Sequence, residues 1–238
     1  MSNAIVVTSG GLDSVTAAYY VKRNYEKISL LFFDYGQRCL GEELFCMKAI
    51  AKKLNVSFKV IDIRWLNDIS TSMINSNKTV QETTMKDLED IKREKKDVLN
   101  WYVPCRNALF LISALAHAES LFIKTKERYD IIIGIKKEGQ ITFKDSTPSF
   151  VNAINNLAEE CTHHGGYKVI APLIDFDKDE IVSLAQKLKV PLEFTYSCYT
   201  GSDFKNGLPV HCGYCSNCRQ RQAAFYWANV KDPSIYNK

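Results

Sequence analysis

Five short apolar runs, each leading through a loop into a helical pattern, constrain this chain more than any other feature. Residues 4–8 (AIVVT), 28–33 (ISLLFF), 57–63 (SFKVIDI), 130–135 (DIIIGI) and 168–172 read as strands. Apolar positions recur at helical spacing over 12–23, about 42–54, 106–123, about 148–161 with Pro148 at its start, and 178–188. Strands that are continuously apolar, rather than alternating, belong in a sheet covered on both faces, and intervening helices make such a sheet parallel. The predicted fold class is therefore α/β, a parallel sheet with helices on both faces. Sheets of this kind bind ligands beyond the carboxyl ends of their strands. Ser9-Gly10-Gly11, Asp34-Tyr35-Gly36 and Gly134 all fall there.

The 238 residues suit one substantial domain with a small appendage. We expect a nucleotide-binding domain over 1–195, interrupted by a polar surface insertion or lid at about 68–100, and a cysteine-bearing segment over 196–238. A net charge of +4 permits contact with phosphates but does not demand nucleic acid. The densest basic cluster, Lys92, Arg93, Lys95 and Lys96, is broken by Glu94 and bordered by Glu89, Asp90 and Asp97, so it reads as a solvated helix face. No stable nucleic-acid partner is expected. The N-terminus has no basic region followed by an apolar run, and no apolar stretch approaches the about 18 residues that span a membrane. The expectation is a cytoplasmic protein with no membrane partner.

Thr8-Ser9-Gly10-Gly11-Leu12-Asp13-Ser14 joins the first strand to the first helix. Paired glycines let backbone approach an anion, and the helix N-terminus adds unpaired N–H groups and the positive end of its dipole. Ser9 and Ser14 can donate to phosphate. Asp13 would repel phosphate directly, so its role is to hold a magnesium ion or to cap the helix. The string lacks the Lys-Ser/Thr ending of the P-loop and is no dinucleotide fingerprint. It resembles the Ser-Gly-Gly-X-Asp-Ser signature of the ATP pyrophosphatase (PP-loop) enzymes, which implies cleavage of ATP between its α and β phosphates and transfer of AMP to a substrate oxygen.

Eight cysteines in a reducing compartment are not expected to form four disulfides. Four are scattered, but Cys212-Gly-Tyr-Cys215-Ser-Asn-Cys218 packs three thiols at three-residue spacing, with Cys198 fourteen residues earlier. Four thiolates without histidine make a closed, structural zinc site. An iron–sulfur cluster uses the same ligands, and a redox dithiol is a further reading. His211 is adjacent, but Cys198 completes a four-sulfur set better. The segment 196–221 otherwise reads as long and irregular, and a metal clip would supply the stability it lacks.

Together, VVTSGGLDS, FDYGQR (33–38), YVPCRN (102–107), PLIDFDKDEIV (172–182) and YSCYTG…HCGYCSNCRQR (196–221) resemble the 7-cyano-7-deazaguanine synthase family over nearly the whole chain. The resemblance implies a ligase that takes 7-carboxy-7-deazaguanine, ammonia and ATP to the nitrile through adenylated intermediates, in queuosine or archaeosine biosynthesis. It implies that Ser9, Gly10, Gly11, Leu12, Asp13 and Ser14 hold the nucleotide and Mg2+, and that Cys198, Cys212, Cys215 and Cys218 hold Zn2+. Arg38 would bind phosphate or the substrate carboxylate. Arg106 opens a buried helix at the strand ends, where an unused charge is costly. Lys178 starts a helix, where the dipole does not favour it. Both are therefore catalytic candidates with Asp13 and Arg38, while Tyr35, Asn107 and Asp145 are candidate substrate contacts. A homodimer is expected from the resemblance alone.

The chain departs from the family pattern in two places. Cys105 stands where glycine is usual, and Phe143–Pro148 replaces a longer Gly-Tyr-Pro-Asp-Cys-Arg-like segment, leaving 139–150 divergent. Three rival readings follow: a tRNA-thiolating relative, a paralogue that attaches a deazaguanine to a protein partner, and a non-catalytic nucleotide-binding module.

Overall fold

The computed structural model describes residues 2–76, 78–90, 92, 99–136, 143–201 and 203–237. Arg93, Lys95 and Lys96 of the basic cluster and residues 139–142 of the divergent segment lie outside these.

Five parallel strands form the central sheet: β1 (Asn3–Val7), β2 (Ile28–Asp34), β3 (Phe58–Asp62), β4 (Tyr129–Ile133) and β5 (Val169–Ile170), in the order β3-β2-β1-β4-β5. Ile5 pairs with Ser29 on one side and Ile131 on the other, Phe32 pairs with Val60, and Ile131 with Val169. The helices are α1 (Leu12–Val21), α2 (Leu40–Leu54), the short α3 (Trp65–Ile69), α4 (Arg106–Thr125), α5 (Pro148–Cys161) and α6 (Lys178–Lys187). The expected strand–helix alternation is present, with β5 shorter than expected.

Alternate residues along each strand feed two cores, as the pleat requires. Ile5, Val7, Leu31, Phe33, Ile131 and Ile133 face α4 and α5. Ala4, Val6, Leu30, Phe32 and Ile132 face α1, α2 and α6. This is why the strands read as unbroken apolar runs. One expectation is corrected. By length and composition α4 is apolar enough to cross a membrane. Phe110, Leu111, Ala114, Leu115 and Ala118 instead turn one stripe of it into the core.

The chain runs outward from β1 to β2 and β3, then returns to β4 on the other side of β1. The order therefore reverses between β1 and β4, and a crevice opens beyond their carboxyl ends.

Residues 68–100, read as a polar insertion, place Ile74 and Val80 in the core under β2. Thr83 N donates to Tyr214 O at 2.8 Å, and Arg219 Nε donates to Thr83 O at 2.9 Å, so this segment also reaches the C-terminal region. The segment 196–221 is less irregular than expected. Here β6 (Phe204–Lys205) and β7 (Leu208–His211) form an antiparallel hairpin around Asn206-Gly207, both at positive φ (53° and 74°), the turn chemistry an Asn-Gly pair supplies. β7 also pairs in parallel with β8 (Ile235–Tyr236), and α7 (Ser216–Trp227) packs on α6.

Candidate active site and metal centre

The loop after β1 is held by its own hydroxyls. Thr8 Oγ1 donates to Ser14 Oγ (3.1 Å), Ser9 N donates to the same oxygen (3.2 Å), and Ser14 Oγ donates to Gly11 O (3.1 Å). Ser14 thus shapes the loop from inside the first turn of α1. Gly10 sits at φ +77°, where a Cβ would also come within 2.9 Å of Glu43 O, so only glycine fits. At the crossing of β1 and β4, a Cβ on Gly134 would lie 2.5 Å from Ser14 Cα. The bare backbone there lets α1 start directly against the end of β4.

Asp13 does not cap α1: Gly11 occupies the N-cap position without a side-chain cap. Its Oδ2 instead accepts from Lys178 Nζ at 2.6 Å, joining α1 to α6 across the crevice. Its Oδ1 is buried and has no partner among the described residues. An orphaned buried carboxylate oxygen beside a phosphate loop fits a cation.

Ser9, Gly11, Leu12, Asp13, Ser14 and Lys178 line the same pocket as Tyr35, Arg106 and Asn107. Part of its lining is aromatic. Phe33 stacks on Phe110 at 4.3 Å, and Tyr35 tilts against Phe110 at 5.5 Å. The Arg106 guanidinium lies over the Tyr35 ring at 5.7 Å and the Phe110 ring at 6.0 Å. Burial works against its charge, but Tyr35 and then Tyr199 and Asp145 outweigh this, and the net shift is upward. Asn107 Nδ2 donates to Asp145 O at 3.1 Å, and burial pushes the Asp145 carboxyl up against the pull of Arg106.

Arg38 is placed elsewhere. Its Nη1 donates to Ser76 O and Lys78 O, both at 3.2 Å, so the guanidinium holds these two carbonyls. Cys105 is exposed, in the left-handed region that glycine favours (φ 54°).

Sequence reasoning missed several pocket residues, among them Glu43, Trp101, Lys136 and Tyr199. Glu43 lies in the first turn of α2, where an acidic residue suits the helix dipole and raises no suspicion. Only the fold sets it, half-buried, in the pocket wall. Burial pushes its carboxyl up to about 7, against a hydrogen bond from Gln37 and the charge of Arg106.

The four clustered cysteines converge. All four sulfurs are buried and lie within 4.8 Å of one another, with Cys212 Sγ and Cys218 Sγ 3.8 Å apart. Backbone N–H groups point at them: Cys212 N and Thr200 N toward Cys198 Sγ (3.4 Å each), Cys215 N toward Cys212 Sγ (3.3 Å), and Cys218 N toward Cys215 Sγ (3.4 Å). Such donors stabilise thiolate charge. The neighbouring thiols, Cys212 first, hold Cys198 well below the ordinary thiol range. His211 is turned away, with Nε2 accepting from Ser197 N at 3.1 Å, and does not join the set. This donor set fits a metal ion.

Cys198 also lines the pocket, so the cysteine cluster adjoins it. A parallel sheet with a Ser-Gly-Gly-X-Asp-Ser loop at its reversal point, facing basic groups across a crevice, defines a nucleotide-binding protein of the PP-loop type.

The chain belongs to the QueC family: the family described as queuosine biosynthesis protein QueC matches residues 3–229. It is 38% identical over 235 residues to a 7-cyano-7-deazaguanine synthase from Methanobrevibacter smithii, covering 99% of this chain and 98% of that one. It is 35% identical over 238 residues to one from Methanosphaera stadtmanae, with coverage of 99% and 98%. A further relative of the same name, from Pyrococcus horikoshii, is 32% identical over 244 residues, again covering 99% and 98%.

Proposed function

We propose that this protein is an ATP-dependent carbon–nitrogen ligase that converts 7-carboxy-7-deazaguanine and ammonia to 7-cyano-7-deazaguanine. One observation carries the reading: the phosphate loop and a group of buried aromatic and cationic residues line one pocket. A carboxylate is a poor electrophile, and the arrangement suits a nucleotide and a flat heterocyclic acid held side by side. Ser9 and Gly11 would meet the phosphates, while Phe33, Tyr35 and Phe110 give the pocket an aromatic lining for the heterocycle. Arg106 provides a charge for the substrate carboxylate, and Asn107, held by the backbone carbonyl of Asp145, lies in the pocket wall with it.

Attack by the carboxylate on the α phosphorus of ATP releases pyrophosphate toward the loop and Lys178. Ammonia then displaces AMP to give the amide, and a second activation removes the amide oxygen. Most of the catalytic task is placement and charge stabilisation. Mg2+ at Asp13 would neutralise phosphate charge. Zn2+ at Cys198, Cys212, Cys215 and Cys218 would act structurally. For one tetrahedral zinc with bonds of about 2.3 Å, sulfurs sit about 3.8 Å apart, which the 3.8 Å between Cys212 and Cys218 matches. Four thiolates bound to four separate irons would be spread more widely. The relatives' shared name supports this reading over tRNA thiolation or a non-catalytic module. Cytoplasmic location and homodimeric assembly belong to the same reading and are checked by fractionation and sedimentation.

The test is incubation with ATP, Mg2+, ammonia and 7-carboxy-7-deazaguanine labelled with heavy oxygen in its carboxylate, followed by mass spectrometry. AMP, pyrophosphate and the nitrile are expected, with one labelled oxygen entering AMP at each activation. ADP and inorganic phosphate as direct products would overturn the reading.

A further inference from the structure

The reaction needs a nitrogen nucleophile with a free electron pair, yet near neutral pH the nitrogen source is almost entirely ammonium. The pocket therefore has to bind a small cation and take a proton from it. Among the described residues lining the pocket, the carboxylates are Asp13 and Glu43. Asp13 is engaged with Lys178.

Glu43 has the setting for the task. Gln37 holds it in one orientation: its Nε2 donates to Glu43 Oε2 (2.9 Å) and to Phe33 O (3.0 Å), while its Oε1 accepts from Tyr35 N (2.9 Å). Both ends of the Gln37 amide are thereby used, which fixes its flip and leaves Glu43 Oε1 with no hydrogen bond from a described residue. The groups around Glu43 are Arg106 from α4, Tyr35 from the loop after β2, and Glu42, Cys39 and Cys46 from its own helix and the turn that starts it. Arg106 is the cation among them and is the group assigned to the substrate carboxylate. Glu43 is thus a carboxylate beside the electrophile's binding group.

We propose that Glu43 binds ammonium in the pocket and serves as the proton acceptor that generates ammonia for attack on the adenylated carboxyl carbon. This rests on the ligase reading above. One N–H bond of ammonium breaks and an O–H bond forms on Glu43. The electron pair left on nitrogen forms the C–N bond, and the C–O bond to AMP breaks with its pair remaining on the phosphate oxygen. The surplus proton then on nitrogen passes to water. Burial that lifts Glu43 to about 7 matches a base working near neutral pH.

The experiment uses Glu43→Gln and Glu43→Asp in the full chain with 7-carboxy-7-deazaguanine. Three activities are read: substrate-dependent exchange of labelled pyrophosphate into ATP, turnover with ammonium, and turnover with hydroxylamine, which is largely unprotonated at neutral pH. For Glu43→Gln we expect exchange and hydroxylamine turnover within about threefold of the parent, and ammonium turnover reduced by about 10²- to 10⁴-fold, the span of a general base. Glu43→Asp should recover part of the ammonium rate. In the parent enzyme, kcat/KM for total ammonia should rise with pH through about 7, where Glu43 loses its proton, and then level off. In Glu43→Gln it should climb without a plateau toward the ammonium pKa, because only free ammonia then reacts.

Undiminished ammonium turnover in Glu43→Gln would overturn the proposal. So would an equal loss with both nucleophiles, or loss of exchange in both variants, since each assigns Glu43 to shaping the pocket. Failure of the parent to catalyse substrate-dependent exchange would instead strike the ligase reading itself.

Discussion

Asp13 meets two demands at once. Its Oδ2 pairs with Lys178, and its Oδ1 is buried without a partner, so the group is satisfied on one side only. Both side chains are under one-fifth exposed, which makes an unmatched charge costly if either is removed. Asp13→Asn and Lys178→Met should each cost on the order of 1–3 kcal/mol of stability, measured by urea unfolding. The double variant should recover much of that loss, because no charge is then left alone. Pyrophosphate exchange should stay depressed in all three by 100-fold or more, a drop on the order of 3 kcal/mol in barrier terms. Recovery of exchange in the double variant would reduce the pair to a structural clasp. Arg38 teaches the opposite lesson. A cation at the mouth of β2 looks like a phosphate ligand in sequence, and in the fold its Nη1 donates to the carbonyls of Ser76 and Lys78.

At the scale of elements, the crevice depends on how closely α1 approaches β4. Gly134 is the point of contact. A methyl group there would meet Ser14 Cα at 2.5 Å and Ser14 N at 2.8 Å, backbone atoms that cannot swing aside. Gly134→Ala should therefore push the first turn of α1 off the sheet. The expected outcome is a loss of about 1–3 kcal/mol in stability together with a rise of at least tenfold in the KM for ATP, measured by thermal unfolding and initial rates. Unchanged ATP binding in a destabilised variant would mean that the loop adjusts independently of β4. The same element pair shows how far a sequence can be read. SGG between a strand and a helix announces the loop from local chemistry alone. The need for glycine at 134 comes from a partner 120 residues away and leaves no local mark.

For the molecule as a whole, the cysteine centre joins regions distant in sequence. Cys198 lines the pocket, Thr83 from the segment before α4 bonds to Tyr214, and the fully buried Arg221 on α7 ties the C-terminal end down. Arg221 donates to Asp232 through Nε (3.1 Å) and to Thr195 Oγ1 through Nη1 (2.9 Å), just ahead of Cys198. Burial would push the Asp232 carboxyl up, but Arg221 outweighs it and holds the group below the usual range. Metal removal should consequently be felt at the active site as well as at the C-terminus. Cys215→Ser, or prolonged chelation, should release about one zinc ion per chain by elemental analysis. Protease cleavage within 196–221 and a substantial loss of pyrophosphate exchange should follow. Stoichiometric iron with visible absorption, or full activity without metal, would overturn the zinc assignment.

The α/β class, the five strands of the main sheet with the long helices between them, the phosphate loop and the cysteine set were legible in the sequence alone, because each is written in local spacing. Continuous apolar runs require a sheet covered on both faces, paired glycines before a helix build an anion cradle, and thiols three residues apart converge in a turn. The hairpin of β6 and β7 falls in a stretch read as irregular, although Asn206-Gly207 carries its turn chemistry locally. What only the tertiary structure decided is which charges end up buried and what they face. Lys136 and Arg221 look like ordinary loop and helix residues until packing buries them, Glu43 until the fold sets it half-buried in the pocket wall, and Arg38 gives no sign in sequence that its Nη1 meets the carbonyls of Ser76 and Lys78. Burial and pairing of charge arise from contacts between remote parts of the chain, and no local pattern records them.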